Sequence, residues 1–538
     1  MPVIGAVALS LFTFHFSLSL VPASAQHAGH VIPTVPQALL ERPLTLRTGI
    51  GTVHDDVTTA SADARAFYDQ GLAYLHSYVW IEAARSFHQA LRADAGLALA
   101  HVGLSIAYIE LNKPAEAQKA VAAARGLAPK VSDHERRHIE MRAAQLDAEL
   151  APGDANRLAA YRKAADAGLA AFPKDAEFHL QRGLAESPDP ADRGQGTNLS
   201  SVPHFEKALA LAPNHPGAHH YLTHALENGG NLKEALAHGQ AFAKLAPNVP
   251  HARHMYGHDL RRVGRIDEAI VEFEAADRLA RAYFKQENVP PQLDWHYHHN
   301  LDLLGTSYQY RGEVKKAGAT LKQSFDLPTN LVGQAVNKRE WPLFLLSRGR
   351  VDESLAAAKT LISHPHPTVQ ATGHIEAGYA LLASNQYGAA GEASNAALKL
   401  LRAGAEGGQL AAAALQGLQG EFYLRTAARD RGRQTLLQAA ARWRALPGPD
   451  NWAQALFRLD AMARAARAVG DWELAGQIAK QMIEHDPAYA GSHYAVALVA
   501  QHDEDAATAK AEFALALKYW SHADPDLPEL VEARKRAR

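Results

Sequence analysis

Residues 214–227 read NHPGAHHYLTHALE, residues 250–265 read PHARHMYGHDLRRVGR, and residues 294–312 read DWHYHHNLDLLGTSYQYRG. His220 and His224 are spaced i and i+4, and so are His254 and His258. A spacing of four places two side chains on one helix face. The second pair repeats the first at a period of about 34, the length of a helix hairpin that stacks into a solenoid. One face therefore carries imidazole in two consecutive units. Eleven of the 29 histidines lie between His215 and His299, where an even spread would place about five.

The same period extends outward from this stretch. It separates Tyr74 from Tyr108, Ala83 from Ala117, Pro213 from Pro247, and Ala235 from Ala269. Small and aromatic residues recur where the two helices of a unit touch, as with Phe67, Gly71, Tyr74, Ala83, Phe87 and Ala90 in the first. These residues are packing. Residues 132–171 form a less regular helix pair. The unit that starts near Asp175 is interrupted by the loop Ser187–Ser201, which is longer than a hairpin needs. Beyond Ala317 the register loosens. Gly349, Gly378, Asn385, Gly432 and Gly470 mark further pairs, and a last clear unit runs from Tyr489 to Trp520. The count predicted is roughly ten to twelve helix pairs.

Composition agrees with an all-α chain. Hydrophobic residues are 47% but aromatics only 7%, so the apolar content is mostly Ala and Leu, which are strong helix formers. A net charge of −2 with mixed signs leaves no electrostatic footprint for nucleic acid. The chain has no Cys, which excludes thiolate metal sites, haem attachment through Cys and Cys nucleophiles. It has no phosphate-binding Gly loop, hence no expected nucleotide, and no G-x-S-x-G nucleophile elbow. Pro2 to Val21 are apolar and uncharged, and Ala23-Ser24-Ala25 fits a small-x-small cleavage site. This predicts a signal peptide over 1–25 and a periplasmic or secreted protein, although the first residues carry no Lys or Arg. No other stretch has the ~18 apolar residues of a membrane span, so no membrane association is expected after cleavage. The organisation expected is an extended lead-in over 26–60, a histidine-rich array over 61–330, a divergent array over 331–524 and a polar tail over 525–538.

The repeat register from Ala64 to Trp520 resembles the tetratricopeptide repeat superfamily. A narrower resemblance rests on residues 68–108, YDQGLAYLHSYVWIEAARSFHQALRADAGLALAHVGLSIAY, with HPGAHHYLTHALE, HARHMYGHDLRRVGR and His299-Asn300. These are similar to exported bacterial tetratricopeptide proteins with central His pairs. Where those tend to read His-Met-Pro-x-His, this chain has His254-Met255-Tyr256-Gly257-His258. The superfamily resemblance implies a right-handed superhelix whose first helices line a concave groove through their second, fifth and ninth positions. His251 and His299 are then second, His220 and His254 fifth, His224 and His258 ninth, and Asp302 fifth in the seventh unit. A protein or peptide partner is expected in that groove.

The chemistry expected of this strip is metal binding. Imidazole pairs at i and i+4 chelate from one helix, and neighbouring helices ~8–10 Å apart bring a second pair within reach. Neutral imidazole suits Zn or Cu. The metal ligands expected are His220, His224, His254, His258 and His251, with His299 and Asp302; Glu227, one turn beyond His224, is a weak candidate for a catalytic base. An alternative is a metal-dependent oxidase or hydrolase, and another is a plain interaction scaffold without metal. His134-Glu135-Arg136-Arg137-His138 matches the H-E-x-x-H pattern of zinc peptidases. Ser132 with Glu135 also makes a capping box, and the reading adopted is a solvated helix start. His27, His30, His364 and His366 read as solvated, and His219 as packing.

Overall fold

In the computed structural model, the described residues are 35–192, 194–329, 331–403, 408–426, 428–446 and 451–537. The expected signal segment 1–25 lies outside them. The regular elements are helices, paired as antiparallel hairpins that follow one another in chain order. The chain is an all-α solenoid of stacked helix hairpins. The two units that carry the His pairs, the fifth and sixth, are Pro216–Asn228 with Leu232–Leu245, and Pro250–Arg262 with Ile266–Glu287; the fourth is Ala176–Leu184 with Val202–Leu211 and the seventh Tyr297–Arg311 with Val314–Asp326. The first helices of the fifth and sixth both open on a proline, one repeat period apart. Among the described residues, no helix is long and apolar enough to cross a membrane.

The hairpins form for two local reasons. Tight turns between the paired helices need one residue in the left-handed region, and Gly and Asn supply it most cheaply. Asn112, Gly230, Gly264, Gly312, Gly349, Asn385 and Gly470 all take positive φ there. The helices then interlock through aromatic rings seated on small residues. Phe87, Phe205, Phe242 and Phe273 on second helices are fully buried. A Cβ added at Gly71 or Gly103 would come within 2.5 or 2.3 Å of the Phe87 ring, so that ring is clamped between two helices that have no side chain at the contact.

The solenoid does not stay open. The first hairpin, Ala62–His76 with Trp80–Ala93, returns to meet units five to seven. Tyr283 Oη donates to Glu82 Oε1 at 3.0 Å, Arg85 Nη1 to Glu287 Oε2 at 2.9 Å, and Trp295 Nε1 to the Tyr78 carbonyl at 3.3 Å. The later helices curl back as well. Tyr310 Oη on the Tyr297–Arg311 helix donates to Asp486 at 2.8 Å, and the Asp524 N–H donates to the Gly312 carbonyl at 3.1 Å. The chain thus makes two closed turns that share the Tyr297–Arg311 helix. The second turn encloses a cavity of about 260 Å³ lined by Tyr379, Glu421, Arg458, Asp460, Tyr489 and Trp520, among others.

Both ends of the array differ from the expected picture. Residues 26–34 of the lead-in, with His27 and His30, lie outside the described residues; from Val35 on it is irregular apart from the short helix Gln37–Leu40, yet Val35, Leu40, Ile50, Val53 and Val57 are buried in the first core. It is a strap across the first turn, held by its spaced apolar residues. The stretch read as a polar tail contains the helix Pro528–Arg536. Leu527, Leu530 and Ala533, spaced by three, are buried there, so an apolar stripe anchors a helix whose charges otherwise dominate the text.

The clamp on Phe87 sets an expectation. Gly to Ala in a helix interior usually stabilises by about 1 kcal/mol. Gly103→Ala should instead cost about 1–3 kcal/mol through overpacking. Gly126→Ala, where an added Cβ meets nothing within 4 Å, should not. Urea midpoints of the two variants, measured side by side, check this.

Candidate metal centre

Closure of the first turn buries the histidine strip instead of leaving it along an open groove. His220, His251, His254 and His258 are buried, and His224 and His299 are half-buried. The structure divides the predicted ligands into three stations.

In the first station, His220 donates from Nδ1 to the His76 carbonyl at 2.7 Å. That fixes the tautomer and leaves a lone pair on Nε2. His251 Nε2 lies 2.9 Å and His224 Nε2 3.1 Å from His220 Nε2. All three donor atoms lie within 4.8 Å of one another. At a zinc–imidazole length of ~2.0–2.1 Å, neighbouring ligand nitrogens are roughly 2.9–3.4 Å apart. Burial is the chief cause that pushes His220 down to about 3, and it holds His251 well below its ordinary range with help from the imidazoles around it. Both are neutral, as metal ligands must be.

A ring lies over this cluster. Tyr78 follows the first helix with φ +58°, a conformation that bulky residues rarely take. Its ring centroid is 4.4 Å from that of His220, 5.3 Å from His251 and 6.1 Å from His224. Gly194, in the loop that follows Ser187, approaches the Tyr78 hydroxyl. That loop wraps the buried Asp192 carboxylate, which accepts from Ser187 Oγ and from the Gly194 and Gly196 N–H groups, and a Cβ on Gly194 would be 3.5 Å from Tyr78 Oη.

His254, His299 and His296 form the second station. Asn300 donates from Nδ2 to the Phe273 carbonyl at 3.1 Å, which directs its Oδ1 to His254 Nδ1, also at 3.1 Å. The His254 ring lies 4.1 Å from that of His296 and 4.9 Å from that of His299. The third station is Glu227, His258 and Asp259. His258 Nδ1 is 2.9 Å from Glu227 Oε1, and Arg262 Nε is 3.7 Å from the same oxygen. Glu227 is therefore engaged by His258 and Arg262, one unit along. Its expected role as a base beside His224 is not what the geometry offers. Asp302 points Oδ1 to Ser324 Oγ at 2.6 Å, on the second helix of its own hairpin, and is not among the converging donors.

Sequence reasoning missed a further group and misjudged another. Glu177 accepts from His76 Nε2 at 3.0 Å and from His215 Nε2 at 3.1 Å, with all three side chains buried. Burial pushes the Glu177 carboxyl up, but the two imidazoles more than offset this and hold it well below the usual range. No periodic signal connects residues 76, 177 and 215. The H-E-x-x-H helix does begin with the expected capping box, Ser132 N donating to Glu135 Oε2 at 3.0 Å. It is solvated on one face only: Ser132, Asp133 and Arg136 are exposed, but the opposite face is covered. The strap lies over it, Thr58 N donates to Glu135 Oε1 at 2.9 Å, and Glu135 and His138 are buried. Glu135 is thus a structural acceptor, so the peptidase arrangement, with Glu free as a base, is absent.

No protein-family model matches the chain, and no curated protein matches it. Solved structures align along most of its length at low identity. The crystal structure of yeast Tom70 is 14% identical, with 88% of this chain and 94% of that chain covered and a TM-score of 0.34. The Cut9–Hcn1 hetero-tetramer of the APC/C is 12% identical over 88% of this chain and 96% of that one, with a TM-score of 0.32. A human IFIT1 dimer with PPP-AAAA is 14% identical over 78% and 90%, with a TM-score of 0.40. The assignment of an α-solenoid rests on the hairpins themselves.

Buried neutral histidines make the fold acid-sensitive. Burial, first among the causes, lowers His88, His238 and His298 to about 4, against an ordinary 6.5. A folded value below the unfolded one means that the unfolded chain binds protons first as pH falls. The stabilisation is complete above about pH 6.5 and is lost progressively towards pH 4. The urea midpoint of chelator-treated protein should fall between pH 7 and pH 5; an unchanged midpoint contradicts this.

Proposed function

We propose that this protein is an exported helical-repeat binding protein that holds a divalent transition metal, Zn or Cu, on His220, His224 and His251. One observation carries the reading. The Nε2 atoms of His251 and His224 lie 2.9 and 3.1 Å from that of His220, whose Nδ1 proton is already committed to the His76 carbonyl. One lone pair accepts one proton well, whereas a cation accepts all three lone pairs. His254, Asn300 and His299 stand beside this cluster through His251, whose ring is 5.9 Å from that of His254. Export is supported by Ala23-Ser24-Ala25 and the apolar run before it. A protein or peptide partner is supported by the repeat architecture, which offers extended surfaces. N-terminal sequencing of the mature protein should begin after Ala25.

The ion joins units five and six, so binding it should stabilise the fold. At a free metal concentration of about 100 times Kd the gain is about 2.7 kcal/mol. Zn(II) added to the chelator-treated chain should raise Tm, and the pair His220→Ala with His251→Ala should remove both the bound zinc and the shift. Full zinc occupancy in that pair would show the strip to be packing.

A further inference from the structure

We propose that Asp55, His134, His138 and Asp175 form a second metal site, for a divalent first-row cation such as Mn(II), Fe(II) or Zn(II), with space for water on one side. The site is independent of the three-imidazole cluster. Its donors come from three separate segments. His134 and His138 lie one turn apart on the Asp133–Glu149 helix. Asp175 is the N-cap of Ala176–Leu184, where Oδ1 accepts from the Phe178 N–H at 3.0 Å and leaves Oδ2 to face both imidazoles. Asp55 is brought in by the strap, with Oδ2 accepting from Tyr68 Oη at 3.3 Å and Oδ1 from its neighbour's N–H at 2.8 Å.

The donor atoms surround one point. His138 Nε2 lies 3.0 Å from Asp175 Oδ2 and 3.2 Å from His134 Nε2. His134 Nε2 also contacts Asp175 Oδ2 and is 3.8 Å from Asp55 Oδ1. All four donors lie within 4.8 Å of one another. Separations of roughly 3 Å are edges of a first-row coordination shell. Nitrogen and carboxylate donors with no sulfur suit Zn, Mn or Fe.

Charge balance points the same way. The partners of the two carboxylates are imidazoles, the Tyr68 hydroxyl and backbone N–H groups. Arg142, the nearby cation, is committed to Glu149 through two 2.8 Å bonds. Glu177 adds a third carboxylate to the neighbourhood. Protonating both imidazoles would neutralise the pair only by setting two like charges 3.2 Å apart. A single divalent ion neutralises both carboxylates without that repulsion. His138, Asp55 and Glu177 also line a cavity of about 30 Å³. One water needs about 10–15 Å³, so the ion would retain a water-sized open position.

The test uses full-length protein stripped with chelator and titrated with Mn(II), followed by electron paramagnetic resonance of the free ion. Wild type should bind one Mn(II). Asp175→Asn keeps the N-cap, since Asn caps as well as Asp, and should weaken binding at least tenfold. Asp55→Asn, on the strap, should do the same and serves if Asp175→Asn folds poorly by circular dichroism. The His220→Ala, His251→Ala pair should bind Mn(II) as wild type does. Mn(II) left free by wild type, or held by both carboxylate variants as tightly as by wild type, overturns the proposal. Binding lost only in the His220, His251 pair would place the ion in the other cluster and also overturns it.

Discussion

The buried carboxylate of Glu177, held between His76 and His215, is the contact on which the first turn depends. It comes from unit four, and its two imidazoles come from units one and five. A charge taken out of water is tolerable only with partners, so this triad fixes where the first hairpin must return. His76 then uses its Nδ1 toward Tyr221 Oη at 3.0 Å and its carbonyl toward His220. One residue therefore seals the turn and sets the tautomer of the central imidazole. Tyr78, just beyond it, lies over the cluster because the chain there is turned into the left-handed region.

The polar interior follows from this seal. Each station of the strip is reached from the last: Asp55 with His134 and His138, Glu177 with His76 and His215, His220 with His251, then His254 and His258. A hydrophobic interior would have been the simpler way to close a superhelix. Burying so many titratable groups costs stability unless each is hydrogen-bonded or coordinated. The ions proposed above would supply that coordination at two of the stations.

What could be read from the text was whatever repeats locally. The regular spacing of Tyr74 and Tyr108, or of the two His pairs, reports helix pairing directly, and the hairpins lie where the small and aromatic residues said they would. The predicted ligands His220, His224 and His251 come together, whereas Asp302 turns to Ser324 and Glu227 to His258. Side-chain direction at a helix position depends on which neighbour offers a partner, and spacing does not carry that. Asp55 shows the limit most clearly. It lies in irregular text far upstream of His134, and its route is set by Val53 and Val57 entering the core. The capping box made a local account of Glu135 complete, and so hid the two histidines beside it.

The strap has a consequence for how this chain is made. In an ordinary solenoid each unit touches only its neighbours, and repeats add or fray one at a time. Here the earliest described segment is seated only once unit four exists. Thr58 rests on the Asp133–Glu149 helix, and Asp55 meets both that helix and the cap of Ala176–Leu184. Contacts that distant in sequence slow folding and bind it into one step. Everything from the strap to the Tyr297–Arg311 helix therefore behaves as a single cooperative body rather than a row of modules. Trimming hairpins from either side of that body would open the whole turn, not shorten it.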